Sequence, residues 1–145
     1  MHSNLIIAMW SGPRNLSTAL MRSFANRSDV TKILDEPFYG AYLKRTNKDH
    51  PMKDVVINSQ CSDWDDVVDI CKSKDEKGIT YQKHMTQHIL NKDFSWTDNL
   101  CNCFLIRNPK DVVPSFLKVW PDGDYVDMGF SQQLELFKYV SQKSN

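Results

Sequence analysis

Short apolar runs that each stop at a polar cluster constrain this chain more than any other feature. Leu5-Ile6-Ile7-Ala8-Met9-Trp10 is continuously apolar and halts at Ser11-Gly12-Pro13. That is the pattern of a strand buried on both faces and feeding a turn. Thr31 to Leu34 halts at Asp35-Glu36-Pro37, Ile79 to Gln82 at Lys83-His84, and Cys101 to Ile106 at Arg107-Asn108-Pro109. Helical patterns fill the intervals. Leu16, Leu20 and Phe24 recur at helical spacing and predict a helix from about Asn15 to Arg27. Ser62 and Asp65 form a capping-box-like start for a second, with Trp64, Val67, Val68 and Cys71 as its apolar stripe. A short helix is expected over Thr86 to Asn91. Asn108 as N-cap with Pro109 behind it starts another. The last spans Ser131 to Ser141, with Leu134, Phe137 and Val140 inward. Lys44 to Pro51 reads as an exposed loop, with Lys44, Arg45 and Lys48 in solvent. Strands alternating with helices predict an α/β fold, a parallel sheet flanked by helices. Ligands of such sheets bind beyond the carboxyl ends of the strands, where these polar clusters fall.

Composition narrows the ligand. The 145 residues suit one domain spanning 1–145, and 18 Lys+Arg balance 18 Asp+Glu. A net charge of zero supplies no broad field for nucleic acid or an anionic membrane, so neither is an expected partner. An anion site would have to be local. The run Leu5 to Trp10 is too short to span a bilayer and has no basic flank or cleavage site, so a cytoplasmic chain is expected. The sequons at Asn15 and Asn26 are then silent, and Cys61, Cys71, Cys101 and Cys103 are expected as reduced thiols. His84 and His88 stand four apart, but no third ligand accompanies them, and no metal site is expected.

The loop after the first run is the candidate anion site. A strand-loop-helix junction gathers backbone N–H groups and a positive helix end. Gly12 permits close backbone approach, Arg14 adds a planar donor fork, and Ser17 and Thr18 add hydroxyls. Phosphate or sulfate suits that set. A Walker A loop does not fit, because Ser17 stands at its second glycine and no lysine follows.

Pro13-Arg14-Asn15-Leu16-Ser17-Thr18 resembles the 5′-phosphosulfate loop of sulfotransferases, P-[KR]-x-G-[ST]-T. Those enzymes use 3′-phosphoadenosine 5′-phosphosulfate (PAPS). Leu105-Ile106-Arg107-Asn108-Pro109-Lys110-Asp111, continuing to Ser115, resembles the family's 3′-phosphate-binding stretch, [LI]-x-R-[ND]-P-[KR]-D-x-x-x-S. In plants and some invertebrates, similar domains accompany aminotransferase-like domains. The resemblance implies a P-loop NTPase-like sulfotransferase fold. Leu16 departs from the loop glycine, Pro114 falls inside the helix that carries Ser115, and Asn145 precedes a further strand of the family's sheet. The domain is therefore expected to be incomplete at its C-terminus.

Under this resemblance Gly12, Pro13, Arg14, Asn15, Leu16, Ser17 and Thr18 hold the 5′-phosphosulfate. Arg107 and Ser115 read the 3′-phosphate. The reaction is an in-line sulfuryl transfer from PAPS to a hydroxyl or amine on a small molecule or peptide. No metal is needed, since a sulfuryl group carries less charge than a phosphoryl group. Arg14 stabilises charge on the leaving oxygen. The base is Glu36, placed as in tyrosylprotein sulfotransferases, or His84, in Lys83-His84-Met85, displaced by one residue from the K-x-H stretch of cytosolic ones. Trp64, Phe116, Leu117 and Trp120 are core or acceptor lining. A Mg-dependent P-loop kinase or NTPase, and a non-catalytic nucleotide- or partner-binding remnant, are the competing readings.

Overall fold

The computed structural model describes residues 4–74 and 77–143. Four strands form one parallel sheet: β1 (Leu5–Ser11), β2 (Val30–Asp35), β3 (Ile79–Met85) and β4 (Cys101–Leu105), in the order β2-β3-β1-β4. Among the described residues six α-helices flank it: α1 (Ser17–Ala25), α2 (Tyr39–Thr46), α3 (Lys53–Ser59), α4 (Trp64–Lys72), α5 (Pro109–Leu117) and α6 (Phe130–Lys143). The chain is thus α/β, with a parallel sheet flanked by helices in the manner of a P-loop-like sulfotransferase fold. From β1 it crosses first to one side of the sheet and later to β4 on the other. The strand order reverses there, the place where such sheets bind ligands.

Alternation along the strands sorts the side chains. Ala8 and Trp10 of β1 and Gln82 and His84 of β3 share one face, in register as Ala8↔Gln82 and Trp10↔His84. They pack with Phe38, Val67, Cys71, Trp96 and Leu136. On the other face Phe24 of α1 stacks on Tyr81 at 4.3 Å between ring centroids. The core runs through both sides of β1, which explains its unbroken apolar sequence.

Several local expectations are corrected. Asp63, not Ser62, caps α4, its carboxylate accepting from the N–H groups of Asp65 and Asp66. The helix begins one residue later than the capping-box spacing suggests. In α6, Leu134 and Phe137 are exposed while Gln133 and Leu136 are buried and Val140 packs on the core. Gln133 donates to the Leu105 carbonyl at 3.2 Å, which turns the helix to a neighbouring face. Lys44 and Arg45 are exposed, but they end α2 rather than lie in a loop, and α3 follows Pro51. Phe38, Ala41, Tyr42 and Leu43 anchor α2 in the core. Lys48 is half-buried and bridged to Asp127. The short helix after β3 is a single 3₁₀ turn, Thr86–His88. No helix among the described residues is long and apolar enough to cross a membrane.

Candidate functional site

Gly12 to Leu16 turn sharply between β1 and α1. Arg14 has φ 63° and Leu16 φ 61°, both left-handed. A residue with a Cβ in that region costs roughly 1–2 kcal/mol, so the surrounding contacts must impose it. Asn15 supplies one such contact: its buried side-chain amide donates to the Gly12 and Pro13 carbonyls at 2.9 and 3.1 Å. Left-handed residues alternating with an ordinary one turn N–H groups to one side and form an anion nest. Leu16 keeps the backbone form that a glycine takes freely. It is also the N-cap of α1 and gives no side-chain cap, which leaves the first-turn N–H groups beside the loop without an intrahelical partner. Gly12 is needed for a reason internal to the protein. A Cβ there would lie 2.5 Å from the Met128 carbonyl oxygen.

The second motif meets this loop directly. Arg14 Nε donates to Ser115 Oγ at 2.9 Å, and Arg107 donates to the Arg14 carbonyl at 3.1 Å. Asn108 caps α5 through the Lys110 N–H, with Pro109 at the first helical position. Pro114 lies inside α5, as its position in the sequence implied, and the Lys110 carbonyl loses its helical donor. The helix nonetheless continues to Leu117, and Ser115 remains against Arg14. Both arginines are exposed. Ser115 accepts from Arg14 and keeps its own hydroxyl hydrogen to donate. The loop, the bare helix end, two guanidiniums and a hydroxyl fit an anion carrying more than one charged group.

Beside Pro13 opens a cavity of about 410 Å³. Glu36 lines it, with φ 49°. That turn holds because the Glu36 N–H donates to the Lys83 carbonyl and its own carbonyl accepts from Tyr39. Glu36 Oε1 and Asp35 Oδ1 each lie 2.8 Å from Lys83 Nζ. Desolvation lowers the Lys83 pKa, but the hydrogen bonds to Asp35 and Glu36 outweigh it and the net shift is upward. The ammonium therefore stays charged beneath Glu36.

Lys83 and His84 do not follow β3; they lie within it, and both are buried. His84 stacks on Trp10 at 4.2 Å and pairs with Gln82 Oε1 at 2.9 Å. Full burial pushes its pKa down to about 3. The ring is a neutral part of the core and is absent from the cavity lining, because strand alternation turns it from the side that carries Met85, which does line the cavity. His88, four residues on, does line the cavity, stacked on Tyr39 at 4.9 Å.

Much of the remaining cavity wall is not marked in the sequence. Tyr39, Lys48 and His50 come from the stretch 39–50, and Asp127 from a 3₁₀ turn, Val126–Met128. Lys48 bonds Asp127, the Tyr39 hydroxyl bonds His50 Nδ1, and His50 stacks on Trp120 at 4.6 Å. Burial and then Lys48 lower the His50 pKa, so its ring is neutral at pH 7. Of the four ambiguous apolar residues, Phe116 and Trp120 line the cavity, Trp64 packs on the core and Leu117 is exposed. The one local signal was the turn Pro121-Asp122-Gly123 after Trp120.

Comparison with known proteins agrees with this geometry. Residues 5–143 match the family profile described as Sulfotransferase domain. Over 139 residues, 94% of this chain, it is 36% identical to branched-chain-amino-acid aminotransferase-like protein 2 of Arabidopsis thaliana. Protein 1 of that name, from the same plant, is 34% identical over 139 residues. The chain spans about a quarter of the length of these relatives, 24% and 25%. No solved structure gives a significant match. With that profile covering nearly every residue from β1 through α6, the chain belongs to the sulfotransferase-domain family.

Proposed function

We propose that this domain transfers a sulfuryl group from PAPS to an acceptor held in the cavity beside Pro13, in the cytoplasm. The observation that carries the reading is the contact of the two motifs, Arg14 to Ser115 and Arg107 to the Arg14 carbonyl. The residues that would hold a 5′-phosphosulfate and those that would hold a 3′-phosphate thereby border one surface. When bound, PAPS supplies the activated sulfuryl group. The nest and the α1 N-terminus hold its anionic end, and Arg107 and Ser115 select the 3′-phosphate. Charge-assisted hydrogen bonds of that kind contribute about 1.5–3 kcal/mol each. Arg14 borders both groups and offsets charge on the departing oxygen. Glu36 faces the cavity and accepts the acceptor's proton, with Lys83 fixing its carboxylate.

Binding linkage tests this directly. Adenosine 3′,5′-bisphosphate at about 100 times its Kd stabilises the fold by about 2.7 kcal/mol, a readily measured rise in Tm. ATP with Mg²⁺ gives a smaller rise, and Arg107→Ala abolishes most of the difference. An unchanged Tm at millimolar adenosine 3′,5′-bisphosphate would overturn the reading.

A further inference from the structure

Resting on the reading of this cavity as the acceptor site, we propose that the acceptor is a small alcohol or phenol carrying a positive charge on a flat apolar body. The site is electrically divided. Arg14 and Arg107 stand on the side of the phosphate-binding loop, whereas the cavity wall carries Glu36, Asp49, Asp122 and Asp127 against Lys48. Lys48 is spent on Asp127, and Lys83 offsets Glu36 from beneath. Asp49 and Asp122 are exposed and make no ion pair among the described residues. His50 is neutral at pH 7 and adds no compensating charge. A cation entering the cavity meets uncompensated carboxylates, and an anion meets no free cation on that wall.

The shape of the wall points the same way. Tyr39 stacks on His88 with 17° between planes, and His50 stacks on Trp120 with 29°. Tyr39 and His50 meet edge to face at 80°, which joins the two stacks into one aromatic wall. Flat bodies pack on such faces, and a cation over a tyrosine or tryptophan face gains about 0.5–2 kcal/mol. His88 and Gln87 both line the cavity; His88 is 4% exposed, and neither its Nδ1 nor the Gln87 side-chain oxygen has a partner among the described residues. Buried polar atoms are ordinarily paired, and neither of these is. The volume of about 410 Å³ takes one small molecule.

The charge and the nucleophile must be separate groups, because an ammonium has no lone pair with which to attack. The hydroxyl oxygen forms the new O–S bond and its proton passes to Glu36. The bond from sulfur to the 5′-phosphate oxygen breaks, and its electron pair stays on that oxygen, giving adenosine 3′,5′-bisphosphate.

Three phenols of similar size separate the possibilities: tyramine, 4-propylphenol and 4-hydroxyphenylacetate. Their binding to the full chain saturated with adenosine 3′,5′-bisphosphate is measured by calorimetry. Tyramine is expected to bind about ten-fold more tightly than the neutral phenol and about a hundred-fold more tightly than the anion. The double variant Asp49→Asn, Asp122→Asn brings that preference close to one and leaves binding of adenosine 3′,5′-bisphosphate unchanged. Equal or tighter binding of the neutral or anionic phenol overturns the proposal. So does binding of none of the three by a chain that still holds the nucleotide. Failure to hold the nucleotide overturns the sulfotransferase reading beneath it.

Discussion

The loop between β1 and α1 and the cavity wall are neighbours built on opposite principles. The loop Gly12–Thr18 is one contiguous segment whose character lies in its backbone: two left-handed residues, a clamping asparagine and a helix end without a side-chain cap. The wall is a set of side chains brought from 36–50, 85–88 and 116–127, with rings stacked and charges paired across the chain. A backbone device survives changes in most side chains but depends on conformation. A side-chain wall is tuned by single residues and depends on their charge state. Gly12 joins the two, since only its missing Cβ lets the loop reach the Met128 carbonyl next to Asp127.

Glu36→Gln should separate the two regions most sharply. Removing a positioned base costs about 10²–10⁴ in turnover, while the loop proposed to hold the nucleotide is untouched. Turnover with PAPS should collapse and the Tm rise from adenosine 3′,5′-bisphosphate should persist. Full turnover in the variant would remove Glu36 from the chemistry.

Acid should strike the wall and core before the loop. Burial holds both His84 and His88 near a pKa of about 3, against 6.5 when unfolded. The folded state thus binds fewer protons than the unfolded one between about pH 3 and 6.5. Stability from these rings is complete above pH 6.5 and falls as pH falls through that window. At pH 5 the loss is about 2 kcal/mol per histidine. His88→Phe should remove roughly half of this slope, measured as ΔG of unfolding from pH 7 to 5. An unchanged slope would show that His88 accepts a proton without unfolding.

Gly12→Ala should disturb the join. The added Cβ meets a backbone oxygen, which cannot swing aside as a side chain can. A loss of about 2 kcal/mol and a fall in Tm of roughly 5–10 °C are expected. A Tm within 1–2 °C of the parent, well inside that expected shift, would show that loop and 3₁₀ turn separate at little cost.

The same contrast decides what was legible in the sequence. Strand positions and the parallel sheet follow from contiguous patterns, because apolar period is a local property. Arg14, Arg107 and Ser115 stand out through the resemblance of their two motifs to a known family, and only the fold brings Arg14 against Ser115. The wall is not local. Lys48 and His50 sit in a polar stretch that reads as solvated loop, and only tertiary packing pairs Lys48 with Asp127 and stacks His50 on Trp120. His84 was misplaced for a related reason. β3 runs on through Met85 because Trp10, Phe38 and Trp96 cover the imidazole, which the sequence alone does not reveal.

Leu16→Gly tests the backbone half of the contrast at its finest scale. Leu16 is 71% exposed, so replacing it removes little packing. Its left-handed φ costs roughly 1–2 kcal/mol, which glycine would relieve. Glycine adds back roughly 0.5–1 kcal/mol through the greater freedom of the unfolded chain. The balance lies between about zero and about 1.5 kcal/mol in favour of the variant, a rise in Tm of at most a few degrees. Because the loop already holds the glycine-like conformation, affinity for adenosine 3′,5′-bisphosphate should change by less than about three-fold. A large gain in affinity would mean that the leucine deforms the nest, whereas a loss of stability would mean that its side chain packs where its exposure says it does not.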